Sequence, residues 1–208
     1  MNPTTALWDE IRGVMEGESP ADFFPKSKFE TILTKDKIEA TLQFYRSKLG
    51  GQSVAKLAKF IIDDAYPIFA AVVWMVKPWL ITSFYIHEVS KEDMPIRYTD
   101  RGKRVEFTGV TVRGQEIDTM FRGADSAWIE ADIEHFCQTV QWKFTAPVFK
   151  SDTFRYEFAR QTILPFTTTP IESGHGGSGR VEIVTVHKDH INYTTSPSGQ
   201  VVSMSVSV

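Results

Sequence analysis

Along the first two thirds of the chain, apolar side chains recur at the spacing of one helix face. Leu7, Trp8, Ile11, Val14 and Met15 share a stripe that Gly17 and Ser19-Pro20 interrupt. Ile38, Leu42, Tyr45 and Leu49 form a second stripe, which Gly50-Gly51 ends. Asp36 is its expected cap, because Glu39 follows at capping-box spacing. Val54, Leu57, Ala58, Ile61, Ile62 and Ala65 make the most regular helical pattern in the sequence. Pro67 lacks an amide hydrogen and crowds the turn before it, so a break or kink is expected there. Apolar helices over 68–76 and 79–86 follow, the second opened by Pro78, and Ser90 with Asp93 predicts a short capped turn before Pro95. Gly102, Gly109, Gly114 and Gly123 mark 99–124 as a loop with a small hairpin near 103–113, its strands carried by Val105, Phe107 and by Val110, Val112. Helix returns over 126–143, with Ile129, Ile133, Phe136, Val140 and Phe144 on one face and Asp125 or Ser126 as cap. Pro147 closes it.

From Gln161 the pattern changes. Prolines, a glycine cluster and β-branched runs replace the stripes, and Val202, Met204, Val206 and Val208 alternate with Ser203, Ser205 and Ser207. Such alternation predicts a strand with one buried face. The expected fold is α+β: a helical unit over 1–160 and a short antiparallel β segment over 161–208.

The chain has 208 residues with a formal charge of −3, and 42% of its residues are hydrophobic. That excludes a disordered chain and argues against a nucleic-acid binder, which carries a basic patch. Cys137 is the single cysteine, expected as a packed small hydrophobe, and no cysteine cluster is present to hold zinc. No basic stretch leads into an apolar core at the start, and Lys77, Pro67 and Pro78 interrupt the apolar stretch 65–86. A cytoplasmic protein is expected, with membrane-surface association through 65–86 as a minor alternative. His187 and His190, with Glu182 and Asp189 near them, read as a solvated strand end rather than a metal site.

Residues 174–181 read Gly-His-Gly-Gly-Ser-Gly-Arg-Val, the pattern G-x-G-x-x-G-x-V. In protein kinases this pattern is a hairpin over the ATP phosphates. Glycine is needed because the backbone approaches phosphate oxygens with no Cβ between. A dinucleotide fingerprint would place a helix next, but the run Val181-Glu182-Ile183-Val184-Thr185-Val186 predicts a strand. No Gly-Lys-Ser/Thr is present for a Walker loop. The candidate nucleotide-binding residues are Gly174, Gly176, Gly177, Gly179 and Val181; catalytic and metal-binding residues are expected to be none.

The segment from Gly176 to His190 resembles the start of the kinase domain in filamentous-fungal protein kinase-like proteins. There a Gly-Gly-Phe-Gly turn leads into a strand ending in an Ile-His-x-x-His-like sequence. Further stretches resemble that group's helical N-terminal region: Phe24-Pro25 through Ile38, Ile68 to Leu80 with Lys77-Pro78-Trp79, Gln141-Trp142 to Phe149, and Leu164-Pro165-Phe166. The resemblance implies an ATP-binding small lobe, yet Ser178 stands where the loop-tip aromatic belongs, and Lys188 is the last lysine. No His-Arg-Asp or Asp-Phe-Gly occurs. The expectation is a truncated kinase-like chain without phosphotransfer, with ATP and Mg relevant only if a full kinase domain exists. The alternative is a non-catalytic interaction module that meets a protein partner through its helices and self-associates through Val201–Val208.

Overall fold

In α1 (Pro3–Glu16), Leu7, Ile11 and Met15 are buried, as their spacing requires. The computed structural model describes residues 2–16, 22–100, 105–108, 114–150, 153, 156–169, 171–176, 179–192 and 201–206. α2 (Lys28–Ile32) and α3 (Lys35–Phe44) lead to α4 (Val54–Phe60) and α5 (Tyr66–Trp74). Residues Ile68 to Val73 of α5 are all 0% exposed, so this helix is the centre of the unit, with α1 packed against it. The apolar stretch 65–86 therefore meets protein; no helix among the described residues is long and apolar enough to cross a membrane.

The predicted break near Pro67 takes a specific form. Ile61–Ala65 is a π-helical turn, and Ala65 leaves helical geometry at φ −140°, ψ 23°. Pro67 offers no hydrogen to the carbonyl four residues before it, that of Asp63. Lys91 supplies the missing donor: its Nζ lies 2.7 Å from the Asp63 carbonyl oxygen.

α5 and α6 (Ile81–Ile86) end alike. The Lys77 amide donates to the Val72 carbonyl at 2.9 Å and the Val89 amide to that of Phe84 at 2.9 Å, the six-residue closure of a Schellman motif. The left-handed position in each is a residue other than glycine, Val76 at φ 59° and Glu88 at φ 53°. A β-branched residue suffers most there. Because Val76 is 49% exposed, its side chain recovers little by burial. Val76→Gly is expected to raise stability by about 1 kcal/mol, read as a higher urea midpoint with unchanged slope. A lower midpoint would refute the strain.

The strand expected at Val105 and Phe107 is present. β1 (Arg97–Asp100) pairs antiparallel with β2 (Val105–Thr108), Tyr98 opposite Phe107. The strand expected at Val110 and Val112 lies outside the described residues. What read as loop after it contains α7 (Gly114–Arg122), which buries Ile117, Met120 and Phe121 at helical spacing. Gly123 ends α7: its amide donates to the Thr119 carbonyl at 2.8 Å, and an added Cβ would sit 2.5 Å from that oxygen.

The helix expected over 126–143 is three pieces: α8 (Glu130–His135), a π turn over Phe136–Val140, and α9 (Gln141–Phe144), which packs on α5. Neither Asp125 nor Ser126 caps it, since Ile129 holds the cap position. The Ser126 hydroxyl instead lies 2.9 Å from the Met120 and Phe121 carbonyls. Likewise α3 starts from Thr34, and Asp36 stands in its first turn. Cys137 is 2% exposed, and burial pushes its thiol pKa up, away from nucleophilic use.

Gln141 is fully buried and behaves as a piece of backbone. Its Oε1 accepts the Ile96 amide at 2.8 Å, while Nε2 donates to the Ile96 and Cys137 carbonyls, each at 2.6 Å. The side chain thus satisfies both polar groups of Ile96, itself 0% exposed.

Candidate functional site

β4 (Ile171–Gly176) and β5 (Gly179–Thr185) pair antiparallel, with Gly176 opposite Gly179 and Gly174 opposite Val181. Gly177 and Ser178, between the strands, lie outside the described residues. The register shifts between Glu172 and Gly174, leaving Ser173 as an extra residue on β4. β7 (Val201–Val206) lies antiparallel on the other side of β5, Val181 opposite Ser205, so the sheet order is β4-β5-β7. Four of the five candidate residues therefore meet across one hairpin. A strand rather than a helix follows the glycines, so no helix N-terminus stands behind them.

The expectation of a purely antiparallel segment needs correcting, because β3 (Phe149–Lys150) and β6 (Ile191–Asn192) pair in parallel. This pairing joins the chain after α9 to the chain after β5. Phe149, Val184 and Val186 form a second core, covered by Tyr156, Leu164, Phe166 and Ile191. The Thr167 amide donates to the Thr185 carbonyl and the His187 amide to that of Pro165, both at 2.8 Å. These bonds clamp the far end of β5.

The seam with the helical unit centres on His190, which is 2% exposed and not at a solvated strand end. Its Nδ1 lies 3.0 Å from the Pro147 carbonyl oxygen, and its Nε2 lies 3.3 Å from the Lys26 amide nitrogen. That arrangement assigns a neutral ring with the hydrogen on Nδ1. Phe23, 0% exposed, packs edge-on against His187 and His190 with ring centroids 5.6 and 5.2 Å away. The Asp189 carboxylate accepts the Ser27 hydroxyl, a second tie between the same two segments. Both His190 nitrogens are occupied by backbone, so the ring does not ligate a metal in this geometry. Among the described residues no group of three ligating side chains occurs.

Burial holds the His190 pKa below its ordinary 6.5; the Pro147 carbonyl opposes this, His187 adds to it, and Asp189 opposes it. An unfolded chain, titrating near 6.5, takes up the proton first. Stability is therefore expected to hold above about pH 6.5 and to fall as pH drops through that value toward the lower native pKa. Urea midpoints from pH 8 to 5 measure it, and His190→Gln should flatten that limb. An equally steep limb in the variant would assign the titration elsewhere.

Sequence reasoning missed this seam. The available signal was Phe23-Phe24-Pro25, an apolar cluster outside every helical stripe, which needed a partner for its first ring. Comparison with protein-family models, curated proteins and solved structures finds no match for this chain.

Proposed function

We propose that this chain is a kinase-like protein that contacts nucleotide phosphates weakly through the backbone of its glycine hairpin and does not transfer phosphate. The observation that carries the reading is the antiparallel pairing of Gly174–Gly176 with Gly179–Val181, followed by a third strand beside the second. This is the order in which a kinase-type glycine loop presents its amides. The third strand reads Val-Val-Ser-Met-Ser-Val and carries no lysine to hold the phosphates. His-Arg-Asp and Asp-Phe-Gly are absent from the 208 residues, so neither a base nor a metal-binding aspartate of that kind is at hand. On this reading the helical unit is a platform: the seam at Phe23, Lys26 and His190 holds β5 and thereby the hairpin.

A few backbone amides without a partner cation support affinity of roughly millimolar order. ATP-Mg is expected to shift the melting temperature marginally even at millimolar concentration, and labelled ATP to yield no phosphorylated product with generic acceptor proteins. A clear shift at micromolar ATP, or any phosphotransfer, would overturn the reading.

A further inference from the structure

α3 and α4 pack against each other and are joined by residues 45–53. Their charges are sorted by end. Asp36 and Glu39 lie toward the start of α3, and Asp63 and Asp64 in the π turn that follows α4. From Ala40 to Ile62, between them, the chain has no aspartate or glutamate, but it has Arg46, Lys48, Lys56 and Lys59. Lys59 is held by Asp63 and Asp64. Arg46, Lys48 and Lys56 are exposed and have no carboxylate partner among the described residues. Arg46 and Lys48 stand in the connection and Lys56 in the first turn of α4, so three cations gather at the connection end.

Aromatic rings occupy the same end. Phe44, the last residue of α3, is 56% exposed, and its ring meets that of Tyr45 edge to face, centroids 5.0 Å apart. Tyr45 in turn meets Trp79, also at 5.0 Å, and the Lys48 Nζ lies 3.8 Å from the Trp79 ring centroid. Trp79 is half-buried against the core, and its indole N–H has no acceptor among the described residues. The apolar residues of α5 take no part, since Ile68 to Val73 are fully buried.

This combination selects among partners. A single-stranded nucleic acid stacks its bases on ring faces, but the Lys48 ammonium already covers a face of Trp79 and Tyr45 is flanked by two rings. A soluble acidic peptide answers the cations and leaves the phenylalanine ring in water. An anionic bilayer surface meets every part: apolar depth for Phe44, the headgroup level for Tyr45 and for the Trp79 N–H, lipid phosphates for the cations.

We propose that the α3–α4 connection docks peripherally on an anionic lipid surface, with Phe44 entering the interface and Arg46, Lys48 and Lys56 meeting the headgroups. This surface is separate from the glycine hairpin and serves whether or not nucleotide binds there. The test is cosedimentation of the full chain with phosphatidylcholine vesicles, with and without about 30% phosphatidylserine. Saturable binding to the anionic vesicles is expected, at least about tenfold tighter than to the neutral ones. Each cation contributes about fivefold, so the double variant Arg46→Gln, Lys56→Gln should bind about 25-fold more weakly. Phe44→Ser should weaken binding by about tenfold at an unchanged urea midpoint, because the ring is mostly in water in the free protein. Phe44→Trp should keep the binding, which separates a role in the interface from a role in folding. Equal binding to both vesicle types, no binding to either, or unchanged binding in Phe44→Ser or in the double variant would overturn the proposal. So would polyglutamate or single-stranded RNA binding as tightly as the anionic vesicles, which would assign the cations to a soluble polyanion.

Discussion

Gln141→Leu is expected to destabilise the protein by about 3 kcal/mol or more, although leucine fills much of the same volume. The substitution leaves the Ile96 amide and carbonyl buried without partners and removes one of two side-chain donors to the Cys137 carbonyl. Each stranded buried group costs about 1–3 kcal/mol. Trp142, whose Nε1 donates to the same Cys137 carbonyl at 2.9 Å, cannot reach Ile96 as well. Glutamate is a useful companion, since it keeps the acceptor for the Ile96 amide but not the donor, and at neutral pH it buries a charge. Urea unfolding of the three proteins measures the effect. A loss below about 1 kcal/mol in the leucine variant would mean that water or a backbone shift replaces the amide.

Phe23→Ala is expected to cost about 3–5 kcal/mol, the range for deleting a buried aromatic ring, and to act unevenly. Phe23 stands between the helical unit and the two imidazoles that follow β5, so its loss opens the seam first. Hydrogen exchange should quicken at His187, His190 and the β5 amides, while α5, buried on all sides, stays protected. Uniform acceleration through both parts would show one cooperative core instead of a platform with an attached sheet.

The helical unit was legible because its cores are periodic: Leu7, Ile11 and Met15, or Ile38 and Leu42, report burial by spacing alone. The glycine hairpin was legible for a different reason, a β-branched run directly after glycines. Three features outside the helical stripes depend on residues far along the chain. The turn at Asp63 is completed by Lys91, and the parallel pair joins Phe149 to Ile191. His190 looked solvated because its partners, Phe23 and the Lys26 amide, stand at the opposite end of the sequence. Within 99–124 the flanking glycines outweighed the short stripe of Ile117, Met120 and Phe121, where Gly123 ends a helix instead of marking a loop. No local pattern separates those two uses of glycine.

The most direct measurement of the nucleotide-contact claim is an amide chemical-shift map of the labelled chain titrated with ATP-Mg. The account predicts shifts that grow through the millimolar range and centre on the amides of Gly174, Gly176, Gly177 and Gly179, with the helical unit unmoved. Shifts centred elsewhere, or no response from those glycines at millimolar nucleotide, would contradict it.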